Sequence, residues 1–226
     1  MSSLTSRETP DGVPEQLARV AELMSSFPSD WCLCGGWAVD AWLGRITREH
    51  GDLDINVFEE SEATLFKHFA GWQMVPHDGA LADSDTNEQW TGRKLVIPAH
   101  LHCRGPEDSG NIPQTGALLA DQGWNFEIVV NARTDAGWTL YDEPHIALPW
   151  SRAVAESPWG MPTAVPEVLL FFKGTAYTGT RHYLRQRDHV DFERMLPTLT
   201  PAQRAWLIES ISTVDADHPW LGVLSL

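Results

Sequence analysis

The sequence predicts a mixed α/β (α+β) protein whose strands come first and whose C-terminal part is helical. Three observations lead there. An apolar run, Trp31-Cys32-Leu33-Cys34, ends directly on Gly35-Gly36. Residues alternate in character from Asp52 to Phe58, and beyond Pro166 the apolar spacing is helical throughout.

Taken in order, residues 1–12 are polar, and Val13 to Phe27 places Leu17, Val20, Ala21 and Met24 at helical spacing. Pro28-Ser29-Asp30 ends that helix, and Trp31 to Cys34 reads as a short buried strand. Trp37 to Leu43 is the next helix, with Gly44 placed to stop it. In the strand from Asp52 to Phe58, Leu53, Ile55 and Val57 face one way and Asp52, Asp54 and Asn56 the other. A helix over 60–69 and a short strand over 72–75 follow. Weak periodicity over 77–123, with an apolar run at Leu95-Val96-Ile97, reads as a variable insert carrying a hairpin. Strand character returns over 124–130 and 138–141. Pro166 opens a helix through Lys173, and helices are expected over 187–196 and 201–211, the last capped by Thr200 with Pro201 at its first position. The expected division is a strand-bearing domain at 1–160 and a small helical domain at 161–226.

The chain has 226 residues, 42% of them hydrophobic, enough for a packed core. Its formal charge of −15 repels nucleic acid and favours neutral or cationic small molecules. The three cysteines, two of them at 32 and 34, cannot frame a disulfide scaffold, so a reducing, cytoplasmic setting is expected. Neither a signal peptide nor an apolar run of about 18 residues is expected, hence no membrane partner. The eleven tryptophans are read mainly as packing residues, with ring stacking on a ligand open for one or two.

Asp52 and Asp54 emerge from one strand face, where their mutual repulsion is costly unless a cation lies between them. Hard oxygen ligands few in number suit Mg²⁺ completed by substrate phosphates; a solvated edge strand is the alternative. Upstream, a strand ending in Gly-Gly at a helix start exposes backbone N–H groups and the positive end of the helix dipole, a seat for phosphate. Together the two features are more specific than either alone.

The stretch Gly35-Gly36-Trp37-Ala38-Val39-Asp40-Ala41-Trp42-Leu43-Gly44-Arg45-Ile46-Thr47-Arg48-Glu49-His50-Gly51-Asp52-Leu53-Asp54 resembles the signature of the aminoglycoside and lincosamide nucleotidyltransferases, in the polymerase-beta-like superfamily. The fifteen residues from Trp37 to Gly51 match that spacing. A second block, Ala164 to Lys173 with Arg187-Asp188 and Asp191-Phe192, resembles the helical half of a bacterial nucleotidyltransferase branch.

The resemblance implies a nucleotidyltransferase-type mixed sheet with flanking helices and transfer of a nucleoside monophosphate from ATP or another NTP to a small hydroxylated acceptor. An aminoglycoside or lincosamide is one such acceptor. It makes Asp52 and Asp54 metal ligands for Mg²⁺, two ions in all, and Gly35-Gly36 the triphosphate cradle. Glu127 becomes the third carboxylate, as ligand or proton acceptor, against the alternative of an ordinary outward-facing Glu. Lys173, after five apolar residues, needs a partner: the triphosphate, or Asp188 or Asp191. Arg45 and Arg48 are further phosphate contacts, with surface pairing the alternative for Arg45, and Asp40 orients Arg48, meets the acceptor or is a simple helix-surface Asp. His100, His102 and Cys103 lack a partner pair with zinc-like spacing. The competing reading is a non-catalytic nucleotide- or partner-binding module of the same fold, antitoxin-like or regulatory. Both monomer and homodimer are open.

Overall fold

The computed structural model describes residues 12–77, 89–106, 126–135, 137–140, 143–175, 177–178, 181–182 and 184–226. Helix α1 (Glu15–Met24) buries Leu17, Val20 and Met24, the stripe expected from the sequence. Strand β1 (Cys32–Cys34) runs without a linker into α2 (Gly35–Leu43), which Gly44 ends in the left-handed region at φ 63°. Strand β2 (Leu53–Phe58) leads through a 3-10 turn, Glu59–Ser61, into α3 (Glu62–His68). Next come β3 (Gln73–His77), β4 (Ala99–Arg104) and β5 (Phe126–Asn131).

A small three-stranded sheet is built from β6 (Arg133–Thr134), β7 (Gly137–Thr139) and β8 (Ala147–Leu148). The short helix α4 (Trp150–Ala153) precedes β9 (Val154–Glu156) and β10 (Pro162–Ala164). Helix α5 (Pro166–Thr175) is followed by the two-stranded pair β11 (Tyr177–Thr178) and β12 (Arg181–His182). The chain closes with α6 (Gln186–Met195), α7 (Pro201–Val214) and α8 (Trp220–Leu224).

The main sheet has seven strands in the order β3-β4-β5-β2-β1-β10-β9. The pairs β2/β5 and β1/β10 are parallel and the other four antiparallel, a mixed sheet as expected. Leu53, Ile55 and Val57 are at most 1% exposed, and Phe126, Ile128 and Val130 at most 2%. These two alternating rows make one face the core, so Asp54 and Glu127 are turned to the opposite face.

Two parts of the sheet differ from the sequence expectation. The stretch 77–123, expected as a variable insert with a hairpin, supplies β4, which pairs with β3 on one side and β5 on the other. The apolar run Leu95-Val96-Ile97 is not a strand; the strand starts after Pro98, where Ala99, Leu101 and Cys103 point into the core between two outward histidines. Residues 78–88 and 107–125 lie outside the described residues. Strands β9 and β10 went unforeseen because each is three residues long. β10 nevertheless pairs with β1, just past the expected division at 160/161.

The helical expectations hold closely. Thr200 and Gln203 form a reciprocal capping box, with Pro201 in the first turn of α7. Trp220 on α8 stacks on Phe192 at 4.2 Å between ring centroids and 9° between planes, closing α6 and α5 against the C-terminus. Ten of the eleven tryptophans lie in described residues, and all ten are buried or half-buried, as packing residues should be. No helix among the described residues is long and apolar enough to cross a membrane.

Candidate active site

Register fixes the site. On β2, Asp54 stands opposite Cys34 of β1 on one side and Glu127 of β5 on the other, and Glu127 in turn stands opposite His102 of β4. Directly opposed residues share a face, so the row Cys34, Asp54, Glu127, His102 crosses one face of the sheet. Asp52, two residues before Asp54, adds to it. One carboxylate oxygen from each of Asp52, Asp54 and Glu127 lies within 4.8 Å of the others. Among the described residues this is the group whose ligand atoms converge on a common point.

Three carboxylates so close repel one another, and the protein records the cost at Asp54. Its carboxyl is pushed up to about 7, first by burial and then by the negative charge of Glu127 and Asp52. The same field acts on neighbouring thiols: burial first, then Asp54 and Glu127, hold Cys34 well above the usual thiol range, and burial with Glu127 does so for Cys103. A hard, small divalent cation fits such a donor set, because it removes the repulsion that His100 and Lys173 offset only in part.

In the metal-free chain the proton on Asp54 sets the direction of a pH effect. Between roughly pH 4 and 7 the folded state holds a proton that the unfolded state has released, so this group's stabilising contribution is lost as pH rises through about 7. A cation competes with that proton. We therefore expect Mg²⁺ to raise the melting temperature more at pH 8 than at pH 6, with an apparent affinity about tenfold higher at pH 8. Differential scanning calorimetry across a Mg²⁺ series at both pH values checks this, and a pH-independent response would contradict it.

The glycine pair abuts the carboxylates. Gly35 has φ 66°, and a Cβ there would stand 1.8 Å from Asp54 Oδ2. At Gly36 a Cβ would meet Arg48 Nη2 and His50 Nδ1, both at 2.6 Å. The first turn of α2 thus carries no side chain on the side where Asp54, Arg48 and His50 converge, and its unpaired N–H groups start there.

Asp40, fully buried on α2, holds the loop between the glycines and Asp52. It accepts from Thr47 Oγ1 and bonds His50 Nε2 at 2.6 Å, while its backbone carbonyl accepts from Arg45 N at 3.2 Å. Although burial opposes ionisation, these bonds from His50 and Thr47 keep the Asp40 carboxyl below its ordinary value. The His50 ring also lies against Trp37, centroids 4.5 Å apart. Asp40 is therefore not a helix-surface Asp, and its direct bonds go to His50 and Thr47 while Arg48 bonds Asp191.

Lys173 takes the intramolecular alternative, with Nζ 2.8 Å from Asp191 and 3.4 Å from Asp188. Arg48 donates from Nε and Nη2 to the two oxygens of Asp191, at 3.1 and 3.0 Å. His100 and His102 project from alternate positions of β4 beside Glu127, and His100 Nδ1 bonds Glu127 Oε1. The sequence reading missed this partner of Glu127, since two histidines two apart on an unforeseen strand gave no sign of which carboxylate they would meet.

The chain has a nucleotidyltransferase-type fold: a strand feeding a glycine pair into a helix, two carboxylates on the next strand, and a third on its parallel neighbour. Residues 16–78 match the family model of aminoglycoside-2''-adenylyltransferase. The crystal structure of the lincosamide antibiotic adenylyltransferase LnuA, lincomycin-bound, superposes with a TM-score of 0.51 at 17% identity, covering 83% of this chain and 98% of that one, and shows that the fold is shared. The antibiotic-resistance factor ANT(2'')-Ia, in its solution structure, covers 92% of this chain and 86% of its own at 12% identity, with a looser TM-score of 0.44. No curated protein is significantly similar in sequence.

Proposed function

We propose that the chain is a Mg²⁺-dependent nucleotidyltransferase that moves a nucleoside monophosphate, from ATP or another NTP, to a hydroxyl of a small molecule and releases pyrophosphate. The observation that carries this reading is the convergence of Asp52, Asp54 and Glu127 beside the bare first turn of α2. Asp52 and Asp54 would hold the metal, proposed as two Mg²⁺ ions, which would supply positive charge against the phosphates of the nucleotide. Gly35 and Gly36 present N–H donors to the triphosphate, and Arg48 and Lys173 stand behind them as cations for the departing pyrophosphate. Glu127 serves as third ligand or as acceptor of the proton that leaves the attacking hydroxyl. Little covalent work falls to the protein: its residues align the hydroxyl with the α-phosphorus and hold the charges.

The acceptor class follows from the family-model match over 16–78 and from the chain's charge of −15. A polycationic aminoglycoside or a lincosamide-type antibiotic is the acceptor we propose to test first. In this proposal residues 1–160 form the nucleotidyltransferase catalytic domain and 161–226 the small helical domain, with β10 pairing back onto β1 across that division.

The experiment is a pyrophosphate-release assay with ATP and GTP in turn, Mg²⁺ and a panel of aminoglycosides and lincosamides, with products weighed by mass spectrometry. The expected outcome is pyrophosphate release dependent on one acceptor class, and a product heavier by one nucleoside monophosphate. Calorimetric binding of ATP and Mg²⁺ without release for any acceptor would instead favour the non-catalytic module.

A further inference from the structure

Asp188 and Asp191 stand one turn apart on α6, each side chain 1% exposed, and three cations converge on them: Arg48 from the loop before β2, Lys173 from α5 and Arg185 from the start of α6 itself. Arg185 and Lys173 share Asp188, while Arg48 and Lys173 share Asp191. Such a cluster would ordinarily be read as a device locking α6 to α5 and to the loop before β2. Its location says more. Arg48 Nη2 lies where it would touch a Cβ at Gly36, so the cluster sits against the first turn of α2. On its other side the charge of Lys173 reaches Cys34 and Asp54.

Resting on the nucleotidyl-transfer reading above, we infer that Asp191 is a positioning residue for the nucleotide: its buried carboxylate holds Arg48 against Gly36, where the pyrophosphate leaves, and Lys173 beside it on the same carboxylate. Both are long, flexible side chains whose ordering would otherwise have to be met at the moment of binding. Fixing them in advance leaves donors to spare. An ammonium has three N–H groups and the two carboxylates take two of them; of the five donors of Arg48, Nε and one on Nη2 go to Asp191 and one on Nη1 to the Glu49 carbonyl at 3.1 Å. Arg48 and Lys173 thus bring spare charged donors, which a departing pyrophosphate needs. Arg48 keeps 22% of its side-chain surface exposed, so the guanidinium is reachable while its orientation is set from behind.

The test compares inhibition by inorganic pyrophosphate with inhibition by the nucleoside monophosphate, on wild type and Asp191→Asn, with Mg²⁺ and saturating acceptor. The expected result is a pyrophosphate inhibition constant and an NTP KM raised about tenfold or more, with monophosphate inhibition changed less than about twofold. General loosening of the fold would weaken both inhibitors alike, and that outcome, or no change in either, overturns the inference. Should the Asn variant fail to fold, Asp191→Glu, which keeps the charge but displaces both cations, carries the same comparison with the same expected split. A wild-type chain that neither releases pyrophosphate nor is inhibited by it overturns both readings. A wild type that does both, with variants indistinguishable from it, overturns this one alone.

Discussion

Replacing Asp54 by Asn is expected to lower pyrophosphate release by at least about a thousandfold while leaving the protein folded and, without metal, at least as stable as wild type. The two halves of that expectation share one cause. Asp54 is crowded by burial and by the charges of Glu127 and Asp52, so its ionised form strains the metal-free fold. Asn keeps the shape and removes the charge, relieving that strain at pH 8, where the wild-type carboxylate is largely ionised. The same change deletes a hard anionic ligand whose role in neutralising transferring phosphate is worth several kcal/mol, and about 4 kcal/mol is about a thousandfold in rate. Steady-state turnover and melting temperature, measured on one preparation at pH 8 without and with Mg²⁺, check both halves. Retained turnover would remove the metal role of Asp54, and a collapsed melting transition would make it a structural residue.

Gly35→Ala carries the second large effect, by a steric route. The backbone at Gly35 has φ 66°, where an L side chain costs roughly 1–3 kcal/mol, and the new methyl would overlap Asp54 Oδ2 and its Cγ, 1.8 and 2.7 Å away. Something must move, and the group nearest is the Asp54 carboxylate, proposed to hold the metal, on a central strand. A displacement of about 1 Å in such a site costs on the order of a hundredfold in rate. The expected variant therefore loses about 1–3 kcal/mol of stability in urea titration and at least about a hundredfold in turnover. Gly36→Ala makes the contrast. Gly36 lies outside the left-handed region, so its methyl adds no backbone strain and only displaces Arg48 and His50 from Asp191 and Asp40; stability should fall less and the NTP KM should rise. Equal stability for the Gly35 variant and wild type would contradict the close packing of glycine on carboxylate.

Much of the candidate site was legible in the sequence because local signals coincide there. The apolar run into Gly35-Gly36 and the alternation over 52–58 each specify their own element, and register then brings Cys34 opposite Asp54. Glu127 was legible only by resemblance, since nothing local says that its strand lies parallel to β2 with Glu127 opposite Asp54. Strand β4 escaped notice for a physical reason. Ala99, Leu101 and Cys103 do alternate inward, but His100 and His102 between them and Pro98 before them look like loop chemistry. Three-residue strands such as β9 and β10 carry too few positions for any period to show. Lys173 was legible as a buried cation in need of a partner; which partner was a tertiary fact, decided when α6 placed Asp188 and Asp191 over it.

The most direct test of the central claim is a crystal of the chain grown with Mn²⁺ and a non-hydrolysable nucleoside triphosphate, read by anomalous scattering. Mn²⁺ takes the same oxygen donors as Mg²⁺. The account predicts an anomalous peak bound by Asp52 and Asp54, about 2.2 Å from their oxygens, with the triphosphate running along the first turn of α2 at Gly35-Gly36. A peak away from these carboxylates, or a triphosphate bound elsewhere on the chain, would contradict it.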